Sequence, residues 1–70
     1  MERTSVNSSN IKSIGYDPRE LRMQVEFRSG RLYSFYNVPP KAHQEFMQAE
    51  SKGKHFASHI ANSFPFTRGI

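Results

Sequence analysis

The clearest alternation of hydrophobic and polar positions lies in the middle of the chain, in residues 21–28. Apolar side chains alternate there with polar ones without interruption, which is typical of a strand with one buried face. Ser29-Gly30 follows as a turn, and the aromatic-rich residues 31–36 predict a returning strand. The sequence therefore predicts a β-hairpin at its centre.

The length of the hairpin turn decides which aromatic side chains are buried. A two-residue turn would pair Phe27 with Leu32, whereas a longer turn with Gly30 as a left-handed bulge would pair Val25 with Tyr33. A shift of one residue exchanges the whole buried set for the exposed set. The bulged turn gathers more apolar residues on one face, so we predict the bulge and a mainly core position for Tyr33 and Phe35.

Turn and helix signals flank the hairpin. Asp17-Pro18 has the order of a type I turn, which would set Tyr16 opposite Leu21 and Ile14 opposite Met23. Downstream, Pro39-Pro40 ends the sheet and opens a helix, and Gly53 is expected to end that helix in the left-handed cap position. A second helix places Phe56, Ala57 and Ile60 on one stripe, and Phe64 and Phe66 are expected to fold back on the core.

These elements predict an α+β fold in one domain, residues 1–70, with residues 1–10 as an extended lead-in. A three-stranded antiparallel meander spans about 11–16, 21–28 and 31–37. Two short helices, at about 40–51 and 54–62, pack on one face of the sheet. A chain this short buries about 60% of the surface that its unfolded form exposes, so modest stability is expected.

The charge of the chain is basic and unevenly distributed. Ten Lys and Arg residues stand against six Asp and Glu residues, for a formal charge of +4. No acidic residue follows Glu50, whereas Lys52, Lys54 and Arg68 do. Basic surfaces of this kind attract polyanions such as nucleic acid.

Composition excludes several classes of protein. The chain has no cysteine, which excludes a disulfide scaffold and a thiolate metal site and fits a reducing compartment. No apolar run reaches the length of a membrane span, and the polar start is unlike a signal peptide. We expect a cytoplasmic protein that has no membrane partner.

The residues offer little for catalysis or for a cofactor. His55 and His59 have a helical metal-binding spacing but lack a third ligand, so surface histidines are the better interpretation. Ser51-Lys52-Gly53-Lys54 lacks the spaced glycine of a phosphate loop and is interpreted as a helix cap with two solvated lysines. The serines have no evident histidine and acid partners. We expect no enzyme activity, no metal and no cofactor.

The predicted sheet has a face that the helices leave free. Arg22, Leu32 and Tyr36 are expected on it, with Arg31 at the tip of the hairpin. Several RNA-binding domains stack unpaired bases on such a sheet. An equally weighted alternative is that Leu32 and Tyr36 pack beneath the N-terminal lead-in.

Short motifs spread along nearly all of the chain carry a family resemblance: Val6-Asn7-Ser8-Ser9, Ile14-Gly15-Tyr16-Asp17, Gly30-Arg31-Leu32-Tyr33, Asn37-Val38-Pro39, Ser51-Lys52-Gly53, Phe56 and His59-Ile60. In these motifs the chain resembles the KTSC family, a small domain found at the C-terminus of some lysyl-tRNA synthetases and as free-standing bacterial proteins. A central Tyr-x-Tyr typifies that family, and here it reads Tyr33-Ser34-Phe35. The resemblance implies an RNA-binding role through the attachment to the synthetase.

The leading hypothesis is a non-catalytic binding module for RNA, either tRNA or another structured RNA, that uses charge first and stacking second. The alternative is a protein-interaction module that docks a protein partner around Leu32 and Tyr36, with incidental basic charge. We expect a monomer. The candidate nucleic-acid-binding residues are Arg22, Arg31 and Tyr36 on the open sheet face, and Lys52, Lys54 and Arg68 in the basic C-terminal half.

Overall fold

The computed structural model describes residues 2–69, so Met1 and Ile70 of the predicted 1–70 domain lie outside the described residues. Residues 2–69 form an α+β domain, as the sequence predicts. The sheet is antiparallel with the strand order β1-β2-β3-β4-β5. In chain order the elements are β1 (Arg3–Ser5), β2 (Ile11–Asp17), β3 (Arg22–Phe27), β4 (Leu32–Phe35), α1 (Pro40–Gln48), α2 (Lys52–His55), a π-helical segment (Phe56–Ile60) and β5 (Phe66–Arg68).

The central hairpin has the predicted bulged turn. Val25 pairs with Tyr33, in the register that the bulge requires. The amide of Gly30 donates to the carbonyl of Phe27 at 2.9 Å, and Gly30 has a φ of 97°. Glycine suits this position because positive φ is costly for residues with a Cβ atom. The prediction of the hairpin register is confirmed.

The predicted pairing of β2 with β3 was wrong by two residues. Tyr16 pairs with Met23 and Ile14 with Val25, because the turn between the strands is longer than a two-residue turn. Leu21 lies in that turn with a φ of 55°, outside the strand that its apolar side chain suggested. Asp17 does act as the turn acceptor, since its Oδ1 accepts the amide of Arg19 at 3.0 Å. A shift of two residues keeps the same face, so the buried set survives the error.

Two short edge strands widen the predicted three-stranded meander to five. β1 lies in the segment predicted as an extended lead-in and pairs with β2, and β5 returns at the end of the chain to pair with β4. Each has three exposed residues, so neither has the buried, alternating pattern that identifies a strand from sequence.

The helices differ from their predicted bounds. α1 ends at Gln48, before the predicted Ser51, and Gly53 lies inside α2, so the expected left-handed glycine cap was wrong. Ser51 is the N-cap of α2, and its Oγ accepts the amide of Lys54 at 3.3 Å. The π-helical segment closes with the amide of Ala61 donating to the carbonyl of Phe56 at 2.9 Å. Its wider turn leaves Ala57 exposed, against the predicted stripe.

The core lies between one face of the sheet and the helices. Phe35 is buried as predicted, and Tyr33 is half-buried against the core. Phe64 also packs on the core, whereas Phe66 remains 48% exposed and confirms the predicted fold-back only in part. The fully buried apolar side chains are Ile11, Ile14, Met23, Val25, Phe35, Val38, Phe46 and Ile60.

Tyr16 of β2 contacts both the loop before α1 and His43 of α1. The hydroxyl of Tyr16 donates to the carbonyl of Val38 at 2.6 Å. The ring of His43 stacks on Tyr16 with centroids 4.4 Å apart and planes within 8°. Burial lowers the pKa of His43 and raises that of Tyr16. These contacts favour the neutral forms of both rings.

The stability of the domain is expected to fall as pH decreases from 7.5 to 5.5. Burial holds the pKa of His43 and His55 below the ordinary value of about 6.5. The unfolded chain therefore binds more protons below about pH 6.5, and the free energy of unfolding decreases there. Urea unfolding at the two pH values measures this loss. The variant His43→Phe keeps a ring stacked on Tyr16 but cannot bind the proton, so it should lose less stability between the two pH values than the wild type does. If the variant lost as much stability as the wild type, this role of His43 would be contradicted.

Candidate functional site

The sheet face that turns away from the helices, here called the open face, carries two of the predicted site residues. The guanidinium of Arg22 lies over the ring of Tyr36 at 5.6 Å, and the Tyr36 hydroxyl is 3.0 Å from Oγ1 of Thr67 in β5. Both predicted residues are half-buried. The lead-in pairs at the opposite edge of the sheet, so the alternative in which Tyr36 packs beneath it was wrong.

The charges on the open face are mixed. Cross-strand pairing places Arg22 beside Asp17, and Arg3 and Glu26 lie on the same face. The hydroxyl of Ser13 donates to Glu26 Oε1 at 2.8 Å and lowers the pKa of Glu26, which keeps that carboxylate charged. Lys12 also lies near Glu26 and helps to lower its pKa, so the open face carries charges of both signs.

Two segments that carry the family resemblance meet on the other side of the molecule. The loop of residues 7–10, before β2, and residues 50–54, at the start of α2, line one concave surface of the domain. Gly53 faces the loop. A Cβ atom added to Gly53 would lie 3.4 Å from Nδ2 of Asn10. The fold thus joins two segments that are about 40 residues apart in the sequence.

Hydrogen bonds hold each side of this junction in place. Ser8 Oγ accepts the amides of Asn10 and Ile11 at 3.3 Å each, and Arg28 Nε donates to the Ser8 carbonyl at 2.7 Å. The Lys52 ammonium donates to the carbonyl of Ala49 at 2.7 Å, just after α1 ends. Arg28 and Lys52 therefore have structural partners in the domain.

Three further depressions lie beside the junction, and the four together are here called the basic groove. We number these four depressions as sections, starting from the junction, and neighbouring sections share lining residues. The first and second sections share Ser9, Asn10 and Gly53. The second and third share Phe27, Ser29 and Phe56, and the third and fourth share Arg31. The third section, with a volume of about 430 Å³, is lined by aromatic rings and by Arg31. The charged side chains that line the groove are Arg28, Arg31, Glu50, Lys52, Lys54 and Arg68.

The basic groove accounts for the whole formal charge of the protein. Five cations and one carboxylate line it, which equals the excess of +4 in the sequence. The other five cations are matched by five Asp and Glu residues elsewhere. Charge of one sign along a concave surface concentrates the electrostatic potential there.

The predicted site residues therefore fall into two groups. Lys52 and Lys54 lie at one end of the basic groove, and Arg31 and Arg68 line its other end together. Arg22 and Tyr36 lie on the open face and do not line the groove. Sequence reasoning missed Arg28 and the residue 7–10 loop, because their position depends on how the chain ends pack against the hairpin.

The two histidines of α2 and the π-helical segment lie beside the core rather than in a metal site. The ring centroids of His55 and His59 are 4.6 Å apart, and His55 stacks on Phe46 at 5.5 Å. Burial and the neighbouring His59 lower the pKa of His55. Within residues 2–69 no group of three His, Asp or Glu side chains is placed to hold a metal ion.

Comparison with known proteins identifies the family. Residues 7–64 match the KTSC domain. The chain belongs to the KTSC domain family. A KTSC domain protein from Yersinia pestis, known from a crystal structure, has the same fold: the TM-score is 0.93 at 41% identity, with 99% of this chain and 97% of that chain covered. Membership confirms the resemblance drawn from the sequence.

Similar proteins include both small proteins and parts of large ones. An uncharacterized protein of Stutzerimonas stutzeri is 45% identical over 56 residues, which are 80% of this chain and 79% of that protein. A lysine–tRNA ligase of Nostoc punctiforme is 36% identical over 58 residues, which are 83% of this chain but 10% of the ligase. The KTSC domain thus also occurs as a small part of a tRNA-charging enzyme. Among residues 2–69, no helix is long and apolar enough to span a membrane.

Proposed function

We propose that this KTSC domain is a non-catalytic module that binds RNA along the basic groove. The observation that carries the proposal is the charge distribution, since the groove holds the entire formal excess of +4. Lysine and arginine side chains along a groove bind the phosphate backbone and supply most of the affinity of such modules. The similarity to a region of a lysine–tRNA ligase supports RNA as the polyanion.

The groove offers binding groups rather than catalytic ones. Its lining residues include one carboxylate, Glu50, and no histidine. General acid–base catalysis requires a positioned acid and base, and nucleophilic catalysis requires a base beside the nucleophile. These lining residues supply neither pair, so the proposal assigns no reaction to the domain.

The protein-docking alternative has less support from the geometry. Leu32 and Tyr36, around which that surface was predicted, are both half-buried. Arg22 covers the Tyr36 ring, and its Nε is buried with no hydrogen-bond partner among residues 2–69. A docking surface for proteins generally presents a contiguous exposed apolar patch. The open face lacks that feature around these two residues.

Binding to RNA is expected to depend strongly on salt. If the five cations of the groove contact phosphates, log K should fall against log salt concentration with a slope of about −3.5, from about 0.7 per contact for a single strand. Fluorescence anisotropy with a labelled oligouridine of about ten nucleotides, between about 50 and 200 mM salt, measures the slope. The absence of binding at the lowest salt concentration would refute the proposal.

A further inference from the structure

We propose that the aromatic third section of the basic groove stacks unpaired bases, so that the ligand is single-stranded RNA rather than a duplex; this inference rests on the proposed function. Phe66 is the exposed aromatic ring of this section, with 48% of its surface accessible. Its ring stacks on Tyr33 with centroids 5.5 Å apart and planes 29° apart. Phe66 belongs to β5, the strand at the edge of the sheet.

The rings form one aromatic cluster, in which Phe35 is buried and Phe66 is exposed. Phe66 also lies 5.5 Å from Phe35, and Phe35 contacts Phe56 of the π-helical segment in an edge-to-face arrangement at 5.6 Å. Phe27 packs edge-on against Tyr33 at 5.4 Å. Edge strand β5 thus adds a partly exposed ring to a set of rings that the core already holds in place. A ring fixed in this way stacks on a base with little loss of side-chain freedom.

Cations flank the exposed end of the aromatic cluster. Arg31 lines the same section as the rings, and cross-strand pairing places Arg68 directly beside Tyr33. Both arginine side chains are exposed. This combination of a cationic track and aromatic faces is how sequence-tolerant single-strand binding proteins hold the backbone and the bases.

The same geometry disfavours a duplex. In a double helix the bases stack on one another, and proteins recognise it by its backbone and shape. The rings of Tyr33 and Phe66 gain nothing from such a ligand, whereas unpaired bases present free faces to them. The aromatic section therefore selects single strands, and the cations alone provide the attraction that duplex and single strand share.

The wild-type protein tests this inference with three fluorescein-labelled probes of equal strand length: oligouridine, an abasic oligomer with the same phosphates, and a blunt RNA duplex. Stacking predicts that the abasic oligomer and the duplex each bind at least about fivefold more weakly than oligouridine, the lower end of the effect of losing one stacked base. Equal affinity for oligouridine and the abasic oligomer would overturn the inference and leave RNA binding through the cations intact.

A variant pair locates the stacking surface. Phe66→Leu keeps an apolar side chain and removes the ring, so it should weaken oligouridine binding at least about fivefold and leave the affinity for the abasic oligomer unchanged. Tyr36→Leu, the matched loss of a ring on the open face, should change neither affinity. Loss of binding by Tyr36→Leu alone would overturn the inference in favour of the open face. No binding of any probe at low salt would remove the inference together with the proposed function.

Discussion

Replacing Phe46 by alanine is expected to leave the domain largely unfolded at room temperature. Phe46 is the residue of α1 that is fully buried, and its ring packs on His55 and Phe56 of the following helical segments. Truncation of a buried phenylalanine costs about 3–5 kcal/mol. A domain of this size rarely has more than about 3–5 kcal/mol of stability, so a single cavity is enough to remove it.

Circular dichroism and urea unfolding of Phe46→Ala measure this effect. Phe66→Ala is the matched control, because it removes the same atoms from a ring that is 48% exposed and should cost less than about 2 kcal/mol. If Phe46→Ala unfolded with the same midpoint as the wild type, α1 would not be held to the sheet by this ring, and the described core would be wrong.

Neutralising three exposed cations of the basic groove is expected to weaken RNA binding about 100-fold. The triple variant is Arg31→Gln, Lys54→Gln and Arg68→Gln, which leaves in place the two groove cations with structural partners, Arg28 and Lys52. At about 1 kcal/mol for each phosphate contact, three contacts give about 3 kcal/mol. The slope of log K against log salt concentration should also become less steep by about 2.

The chain provides a control with the same composition. Arg3, Arg19 and Lys41 are also two arginines and one lysine, all exposed, and they lie outside the groove. Their replacement by glutamine lowers the net charge by the same amount and should change the affinity only a few-fold. Equal losses in the two triple variants would show that binding follows net charge alone, which would contradict a groove-specific site.

The fold was predictable from sequence where burial produces a pattern. The alternation in residues 21–28 identified β3, and Gly30 identified the bulged turn and the register of the hairpin. The pattern failed where burial is absent, since β1 and β5 are short and exposed. The predicted pairing of β2 with β3 was wrong because Leu21, an apolar residue, continues the alternation although it lies in the turn.

The candidate site was predictable only in its chemistry. The excess of Lys and Arg and the aromatic residues are visible in the sequence, but their convergence depends on long-range packing. The pairing of β5 with β4 brings Arg68 to the side of Arg31, and Arg28 meets the residue 7–10 loop through the Ser8 carbonyl. Alternation placed Arg22 and Tyr36 correctly on the open face, but only the structure shows that this face carries charges of both signs.

The most direct test of the basic groove is an amide chemical-shift titration of labelled protein with oligouridine at low and at near-physiological salt. The proposed site predicts shifts on residues that span the groove, including Asn10, Gly53, Lys54, Arg31 and Phe66, which weaken steeply as salt increases. Amides of the open face around Arg22 and Gln24 should remain unchanged. Shifts confined to the open face, or none at low salt, would contradict RNA binding in the groove.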